Sequence, residues 1–500
     1  MSSAIATSFV GTPVPLSCFK ELPGSDPSHE NTCLGEYSLK FSAISDAASC
    51  ATQCLSDLQC TSFAWGLGGG TRCRISHTCT VPTGFLAKYD GYMRNTTAAG
   101  CGTTPSPPTP TPPTSPSTLI RADDPNIQFI GRSRPGPHAG TLEFDMAGCE
   151  IRATVVLKQA SCITVELAQM HEPHPPPLPG HKQNADQASG YEANAFVTWV
   201  NGKRQGRGGY NATFVTNVTD ADVHPYPMDG AKTTCAAPFA AGTHSLRVFK
   251  ATEADFNAGS PIANYVTFHG FSISSTGVET IPSPPLPTRK IEFVGDSITA
   301  GFCNLCHVVP DPRAHKADNT DHLEAYGASW DHQICEILDA QCHTAAWSGI
   351  GMVKNCCGGN ETMPTIYQQT LSTVTAAGGG TAWDFSKWKA DALVINLGTN
   401  DRSAVTGPRY LEKYKEVVME ASQHYPNVHV FLACGPMTDE YCDPVQKVIA
   451  NVTARGVKAH FLDQRGFINK TNGCCSHPSI AVDNAMATSG AALIKKTLGW

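Results

Sequence analysis

From residue 289 onward, uninterrupted apolar runs alternate with stretches of helical periodicity. The five runs are KIEFVGDS, QCHTAAW, DALVINLG, VHVFLACG and VKAHFLDQ, and two of the helical stretches are HLEAYGASWDHQICEILDA and GPRYLEKYKEVVMEAS. Strands that are buried on both faces and alternate with helices are typical of a parallel sheet covered by helices on both sides. The pattern predicts an α/β/α domain over residues 289–500, with a five-stranded parallel sheet.

Residues 121–281 follow a different pattern of short, mostly alternating segments. These are IQFIGR, TLEFDM, EIRATVVL, CITVELA, AFVTWVNG, SLRVFKA and YVTFHGFSIS, separated by Gly, Pro and Asn. Such segments are typical of short antiparallel strands, and we predict a β-sandwich over 121–281. The segment PSPPLPT, at 282–288, is predicted to be a short linker to the α/β/α domain.

The first 120 residues divide at a run of proline, serine and threonine. Residues 102–120 include GTTPSPPTPTPPTSPS, which favours an extended polyproline conformation and cannot bury apolar surface, so we predict a linker there. Residues 1–101 contain eight cysteines. Because a small domain with a thin core needs such cross-links, this segment is predicted to be a disulfide-rich module.

Part of this module is similar to a known binding domain. The stretch AASCATQCLSDLQCTSFAW has the pattern of a short amphipathic helix followed by a strand, and it resembles the PAN/apple module. That resemblance implies a glycan or a protein as ligand. A generic disulfide-rich spacer domain is the alternative.

Composition and charge exclude several classes of partner. The net charge is −7 and no run of lysine or arginine is present, which argues against nucleic acid and anionic membrane surfaces as partners. No window approaches 18 apolar residues, so no membrane span is expected. The segment MSSAIATSFVGTPVPL lacks the basic and long apolar regions of a secretory signal peptide.

The 21 cysteines indicate an oxidising compartment. Zinc is the competing explanation for Cys303 and Cys306, but no second pair at finger-like spacing follows them, so we predict disulfides and no metal. The odd count leaves at least one cysteine unpaired within the chain. Six glycosylation sequons agree with a secreted or cell-surface glycoprotein. They are at Asn95, Asn211, Asn217, Asn360, Asn451 and Asn469.

Four residues at the ends of predicted elements could carry acyl-transfer chemistry. Ser297 follows the first apolar run, Gly349 the second and Asn400 the third, and His477 lies just before the last helical stretch. The carboxyl ends of parallel strands meet at one edge of a sheet, where functional residues collect. Acyl transfer needs a nucleophile, a base and donors to the oxyanion. We therefore predict Ser297 as nucleophile, His477 as base, and an oxyanion hole formed by Ser297, Gly349 and Asn400.

Each of these residues also has a purely structural interpretation. Gly-Asp-Ser is common where a strand turns into a helix, Gly349 fits any tight turn, and Asn400 fits any loop. Trp347 and Asp296 are predicted to contact substrate, with Trp347 as a wall against a sugar ring. For Trp347, packing in the core is the alternative.

The four blocks in this order resemble the SGNH (GDSL-like) hydrolases. GDSITAGF, YGASWDHQICEIL, AAWSGIGMVKN, MPTIYQQTL, WDFSKWKADALVINLGTND and HPSIAVDNAMA, together with NIQFIGR, AFVTWVNG and GTHSLRVFKATEA, are similar to carbohydrate esterase family 2. The resemblance covers about residues 125–500. It implies a jelly-roll-like domain before the SGNH domain, removal of O-acetyl groups from an acetylated polysaccharide or oligosaccharide, and no cofactor.

The sequence departs from most SGNH hydrolases beside His477. The position three residues before it, an aspartate in most of them, is Cys474, and no acid lies within five residues upstream. The resemblance to family 2 implies a Ser–His dyad whose histidine bonds a backbone carbonyl near Cys474 or Cys475. Asp401 and Asp439 are alternative acids that the fold could bring to His477. A pH midpoint near the ordinary histidine value of about 6.5 is expected for kcat/KM.

The resulting hypothesis is a secreted carbohydrate O-acetylesterase with no metal or organic cofactor. An esterase or lipase for non-carbohydrate acyl esters is the first alternative, because the catalytic blocks do not specify the alcohol. A glycan-binding surface protein with a decayed hydrolase domain is the second. Retention of all four predicted site residues argues against decay.

Overall fold

The chain forms two compact units, residues 1–114 and 115–500. The structure, a computed structural model, describes five strands in the first unit and most of the second unit. In the second unit the described residues are 117–171, 194–206, 213–215, 223–229, 235–254, 264–306, 324–356, 361–374, 380–469 and 471–500.

The strands of the first unit form one antiparallel sheet in the order β1-β5-β3-β4-β2. They are β1 (Phe19–Glu21), β2 (Tyr37–Ser42), β3 (Ser62–Gly66), β4 (Arg72–Ser76) and β5 (Asp90–Arg94). The predicted helix within 47–60 lies outside the described residues. The resemblance to a PAN/apple module, and with it a glycan or protein ligand, therefore stays a prediction.

The second unit begins with two antiparallel sheets, as the alternating segments predicted. Their strands are β6 (Thr118–Arg121), β7 (Gln128–Ile130), β8 (Arg134–Pro135), β9 (Leu142–Phe144), β10 (Glu150–Leu157), β11 (Ile163–His171), β12 (Ala195–Val200), β13 (Lys203–Arg204), β14 (Phe214–Val215), β15 (His224–Pro227), β16 (Gly242–Lys250), β17 (Asn264–Ile273) and β18 (Glu279–Ile281). One sheet runs β13-β12-β16-β10-β18, with β14 beside β12 and β7 beside β10. The other runs β15-β11-β17-β9-β8, with β6 beside β17.

Alternation along these strands builds the core between the two sheets. In β10, Ile151 and Val155 are buried, as are Val165 in β11 and Phe268 in β17, and all four belong to one apolar cluster. Because side chains alternate between the two faces of a strand, residues two apart in the long strands, such as Ile151, Ala153 and Val155 of β10, reach this cluster.

A five-stranded parallel sheet with surrounding helices completes the unit and confirms the predicted α/β part. The strands are β19 (Arg289–Gly295), β20 (Ala340–Ala346), β21 (Ala392–Asn396), β22 (His429–Cys434) and β23 (Lys458–Asp463), in the order β20-β19-β21-β22-β23. The helices are α1 (Ser297–Ala300), α2 (Trp330–Leu338), α3 (Met363–Ile366), α4 (Pro408–His424), α5 (Cys442–Thr453) and α6 (Ile480–Leu498), with 3₁₀ turns at Tyr326–Ala328 and Arg402–Thr406. A small hairpin, β24 (Gly473–Cys474) and β25 (His477–Pro478), precedes α6.

Strand register determines which loops meet at the edge of this sheet. Gly295 at the end of β19 pairs with Ala346 of β20 on one side and with Asn396 of β21 on the other. All three strands are parallel, so the segments that follow them leave the sheet at the same edge. The register brings the loops that carry the predicted site residues together.

A buried ion pair joins the antiparallel sheets to the parallel sheet. Arg132 donates from Nη2 to Glu292 Oε1 in β19 at 2.9 Å, and both side chains are almost fully buried. The hydroxyls of Tyr367 and Tyr425 donate to Glu292 Oε2 at 2.8 and 2.9 Å. A buried charge is tolerated when its lone pairs are satisfied in this way.

The predicted linker at 282–288 stays a prediction, and residues on both sides of it pack within one unit.

The cysteines of the second unit confirm the prediction of disulfides. Where both cysteines are described, the pairs are Cys162–Cys235, Cys303–Cys475, Cys306–Cys474, Cys335–Cys342 and Cys434–Cys442. Cys303 and Cys306 are thus oxidised partners of other cysteines, and Cys149 is a free, buried thiol.

Of the sequon asparagines, Asn451 and Asn469 are exposed, and the other four lie outside the described residues. Across the described part of the chain, no helix combines the length and apolar character that crossing a membrane requires.

Candidate active site

Ser297 stands at the turn between β19 and α1. Asp296 caps this helix, because its Oδ1 accepts the backbone N–H of Ile298 at 3.0 Å. Gly295 has no space for a side chain, since a Cβ atom there would collide with Thr299. The turn directs the Ser297 hydroxyl toward His477, and the Ser297 Oγ lies 2.8 Å from His477 Nε2.

His477 is presented by the hairpin of β24 and β25. The two residues of its turn, Cys475 and Ser476, have φ values of +48° and +65°, the left-handed conformation that two-residue hairpin turns require. The Cys475 carbonyl lies 2.9 Å from His477 Nδ1. A carbonyl can only accept, so Nδ1 carries the proton and the lone pair of Nε2 faces Ser297.

Two disulfides fasten this hairpin to the segment that follows α1. Cys475 pairs with Cys303, and Cys474 pairs with Cys306. The bridges therefore connect the backbone that carries the histidine to the backbone that carries the serine. They also hold the Cys475 carbonyl, which is the partner of the imidazole ring.

No carboxylate occupies the position of a triad acid among the described residues. The Asp401 carboxyl instead accepts the backbone N–H groups of Met352, Val353 and Lys354, at 2.9, 2.7 and 3.0 Å. Asp439 is exposed, and His477 Nδ1 already bonds the Cys475 carbonyl. Ser297 and His477 thus form a hydrogen-bonded pair whose histidine also bonds a backbone carbonyl.

Burial dominates the electrostatics of the histidine. It lowers the pKa of His477 to about 4, while the bond to the Cys475 carbonyl raises the pKa in part. The ring of Phe302 packs edge-on against the imidazole, with centroids 4.8 Å apart, and contributes to that desolvation. An imidazole with so low a pKa is neutral around pH 7 and is ready to accept a proton.

Gly349 and Asn400 flank the serine at the same sheet edge. Gly349 lies in the loop after β20 with φ +78°, where a residue with a side chain is strained. Asn400 follows β21, and its Nδ2 donates to the Ile350 carbonyl at 2.8 Å and to Asp296 Oδ2 at 3.3 Å. The amide therefore bridges the loop of Gly349 and the residue before Ser297.

The structure corrects the two predicted substrate contacts. Trp347 is fully buried in the apolar cluster, so its indole is a core side chain and not a wall exposed to a sugar ring. Asp296 is also fully buried, and its carboxyl caps α1 and accepts from Asn400. Desolvation, with the Asp401 charge as a smaller contribution, raises the pKa of Asp296 to about 7. Neither side chain is exposed to solvent.

Sequence reasoning missed the anchoring role of Asp401. It was considered only as an alternative acid that the fold could bring to His477, whereas its carboxyl organises residues 352–354 of the loop after β20. No group of three or more His, Cys, Asp or Glu side chains suited to a metal ion occurs among the described residues.

The dyad predicts an acidic limb in the pH profile of the protein. Because Nε2 must be unprotonated to accept the Ser297 proton, kcat/KM should rise with pH and level off above a midpoint of about 4. Activity should therefore persist at about pH 5–6, where a histidine with an ordinary pKa of about 6.5 is largely protonated. A pH–rate profile on a soluble acetate ester measures this midpoint.

The matched variant for this profile is Asp401→Asn. It should lower kcat through the loop that Asp401 anchors and leave the pH midpoint where it is. A carboxylate paired with imidazolium raises the pKa of a histidine. A wild-type midpoint above about 6.5 that falls in Asp401→Asn would replace the dyad with a triad.

Comparison with known proteins identifies the relatives of this site. Residues 293–478 match the GDSL-like Lipase/Acylhydrolase family. A "Cellulase/esterase CelE" from Acetivibrio thermocellus is 33% identical over 270 residues, which cover 52% of this chain and 31% of the relative. An "Acetylxylan esterase / glucomannan deacetylase" from Cellvibrio japonicus is 29% identical over 170 residues, which cover 33% of this chain and 44% of the relative. The chain thus spans less than half the length of either relative.

Solved structures extend the similarity to three quarters of the chain. An active site mutant of a family two carbohydrate esterase from Clostridium thermocellum matches with 25% identity and a TM-score of 0.58, covering 75% of this chain and 100% of that chain. A family two carbohydrate esterase from the same organism in complex with cellohexaose matches with 24% identity and a TM-score of 0.57, covering 75% of this chain and 99% of that chain. Residues 293–478 thus resemble GDSL-like hydrolases, and three quarters of the chain resembles a family two carbohydrate esterase.

Proposed function

We propose that this chain removes O-acetyl groups from an acetylated polysaccharide or oligosaccharide by a Ser297–His477 dyad. The main support for the proposal is the pair of contacts that the two imidazole nitrogens of His477 make. Nε2 lies 2.8 Å from Ser297 Oγ, and Nδ1 bonds the Cys475 carbonyl at 2.9 Å. Together they supply a serine with a neutral, oriented base.

The mechanism follows from this geometry. Ser297 Oγ attacks the acetyl carbonyl carbon as its proton passes to His477 Nε2, and a tetrahedral intermediate forms. The intermediate then collapses as its C–O bond to the sugar breaks, the imidazolium protonates the departing sugar oxygen to a hydroxyl, and an acetyl-serine remains. Water, deprotonated by the neutral imidazole, attacks the acetyl-serine and releases acetate, which restores Ser297 and His477.

A tetrahedral intermediate with a negatively charged oxygen forms when Ser297 attacks the ester and again when water attacks the acetyl-serine. This oxyanion requires hydrogen-bond donors. We assign this role to the backbone N–H groups of Ser297 and Gly349 and to the Asn400 amide. In the resting site Asn400 donates to Asp296 at 3.3 Å, longer than its 2.8 Å bond to Ile350. An oxyanion with a full negative charge competes well for the more weakly held N–H.

Acetylated carbohydrate is proposed as the substrate because of the relatives. One is named an acetylxylan esterase / glucomannan deacetylase, and the similar solved esterase is described in complex with cellohexaose. Five disulfides among the described residues of the second unit, and the exposed sequon asparagines Asn451 and Asn469, support an extracellular location.

Acetate release across a substrate panel tests the proposal. We expect turnover of acetylated xylan, acetylated glucomannan and acetylated cello-oligosaccharides, and at least about tenfold lower kcat/KM for octanoyl than for acetyl aryl esters, because each added methylene must be accommodated by the site. Equal or faster hydrolysis of octanoyl esters would favour a general esterase or lipase. Binding to these glycans without release of acetate would favour the decayed hydrolase.

A further inference from the structure

A carboxylate from the antiparallel sheets reaches the loop that carries Gly349. Glu253 lies just after β16 and is buried. Its Oε2 accepts the backbone N–H of Ser348 at 2.5 Å, and its Oε1 accepts the Ser348 hydroxyl. Ser348, which donates to Glu253 from both its backbone and its side chain, directly precedes Gly349.

These bonds restrict the peptide that presents the Gly349 N–H. Anchoring the N–H and the hydroxyl of Ser348 restricts rotation at that residue, and the Gly349 N–H belongs to the next peptide unit. On the other side, the Gly349 carbonyl accepts the N–H of Cys356 at 3.0 Å. Glycine at φ +78° has wide conformational freedom of its own, so its orientation depends on these flanking contacts.

Glu253 is itself held in place from both sides. Its backbone N–H donates to Glu324 Oε1 at 2.6 Å. The fully buried ammonium of Lys250 donates to the carbonyls of Thr252 and Glu253, at 2.5 and 3.1 Å. The Lys250 charge offsets the negative charge of the surrounding buried acids.

We propose that Glu253 is a positioning residue that orients the Gly349 N–H toward the oxyanion, so that the antiparallel sheets contribute directly to turnover. The inference rests on the proposed function, because it presupposes that an oxyanion forms at this loop. Glu253 does not contact the reacting atoms. It acts through Ser348, and small displacements of an oxyanion donor weaken the transition-state interaction more than substrate binding.

Two substitutions separate positioning from a general structural role. Glu253→Gln removes the charge and keeps the length of the side chain, so its amide oxygen still accepts the Ser348 N–H. Glu253→Asp keeps the charge and shortens the reach by one methylene. We expect kcat to fall by about 10–100-fold in Glu253→Asp and by no more than about threefold in Glu253→Gln, with KM nearly unchanged in both.

The control is Glu143→Gln, another buried glutamate of the antiparallel sheets, which pairs with Arg134 at 2.7 Å. Its kcat should equal that of the wild type, and Tm is measured for all variants so that rates are compared among folded proteins. A Glu253→Asp protein with wild-type kcat, or a lower kcat in Glu253→Gln than in Glu253→Asp, would overturn the positioning role. A wild-type protein that hydrolyses no acetyl ester would instead contradict the proposed function.

Discussion

Ser297→Ala is expected to lower kcat for acetate release by about 10⁵–10⁶, the loss that follows removal of the nucleophile from a serine hydrolase. The alanine removes the atom that lies 2.8 Å from His477 Nε2 and leaves no group able to form the acetyl-enzyme. Acetate release from a soluble sugar acetate, followed under saturating substrate, measures the change.

The matched control is Ser403→Ala, because Ser403 is an exposed serine shortly after Asn400 in the chain. Its kcat should equal that of the wild type. The Tm of both variants is measured, because Ser297 is buried and a folding defect would be the competing explanation for a loss of kcat. A folded Ser297→Ala protein that keeps more than about 1% of wild-type kcat would remove Ser297 from the mechanism.

His477→Ala is expected to cause a loss of similar size, about 10⁵–10⁶ in kcat. Without the imidazole, Ser297 has no base to take its proton, and the leaving sugar hydroxyl has no acid. The two disulfides that hold the hairpin do not involve this side chain, so the backbone around residue 477 should persist.

His429→Ala is the control for a histidine outside the site. His429 lies at the start of β22, where its Nδ1 lies 3.0 Å from Nε2 of His460. It should leave kcat unchanged. If His477→Ala retains substantial turnover while its Tm matches that of the wild type, another residue must be the base.

The meeting of the three site loops at one edge of the parallel sheet was predictable from sequence, because it follows from local patterns and one rule of sheet topology. Apolar runs buried on both faces predict parallel strands, and the ends of parallel strands meet at one edge. Ser297, Gly349 and Asn400 each follow such a run, so their convergence required no knowledge of distances. His477 follows none of these runs and was predicted as the base because it lies just before the last helical stretch and completes the groups that acyl transfer needs. The resemblance to SGNH hydrolases supported that role.

The hydrogen-bond partner of His477 and the pKa of its imidazole could not be predicted from these sequence patterns. The Cys475 carbonyl reaches Nδ1 only because the turn at residues 475–476 adopts positive φ and two long-range disulfides hold it. Cysteine spacing alone leaves many pairings open. The expected pH midpoint near 6.5 ignored the desolvation that lowers the pKa of His477 to about 4.

Burial also decided the role of Trp347. Its position beside Gly349 in the sequence suggested a surface for sugar, but its side chain turns into the apolar cluster. Adjacent residues in a tight turn point in different directions, and the sequence does not specify which one faces the substrate.

The most direct test of the Ser297–His477 dyad is labelling with an active-site phosphonate followed by peptide mapping. The account predicts one phosphonyl group per chain, attached to Ser297, with loss of acetate release in proportion to labelling. The reaction should be abolished in Ser297→Ala and slowed strongly in His477→Ala, because the neutral imidazole activates the serine. Labelling of another serine, or full labelling of Ser297 without loss of acetate release, would contradict it.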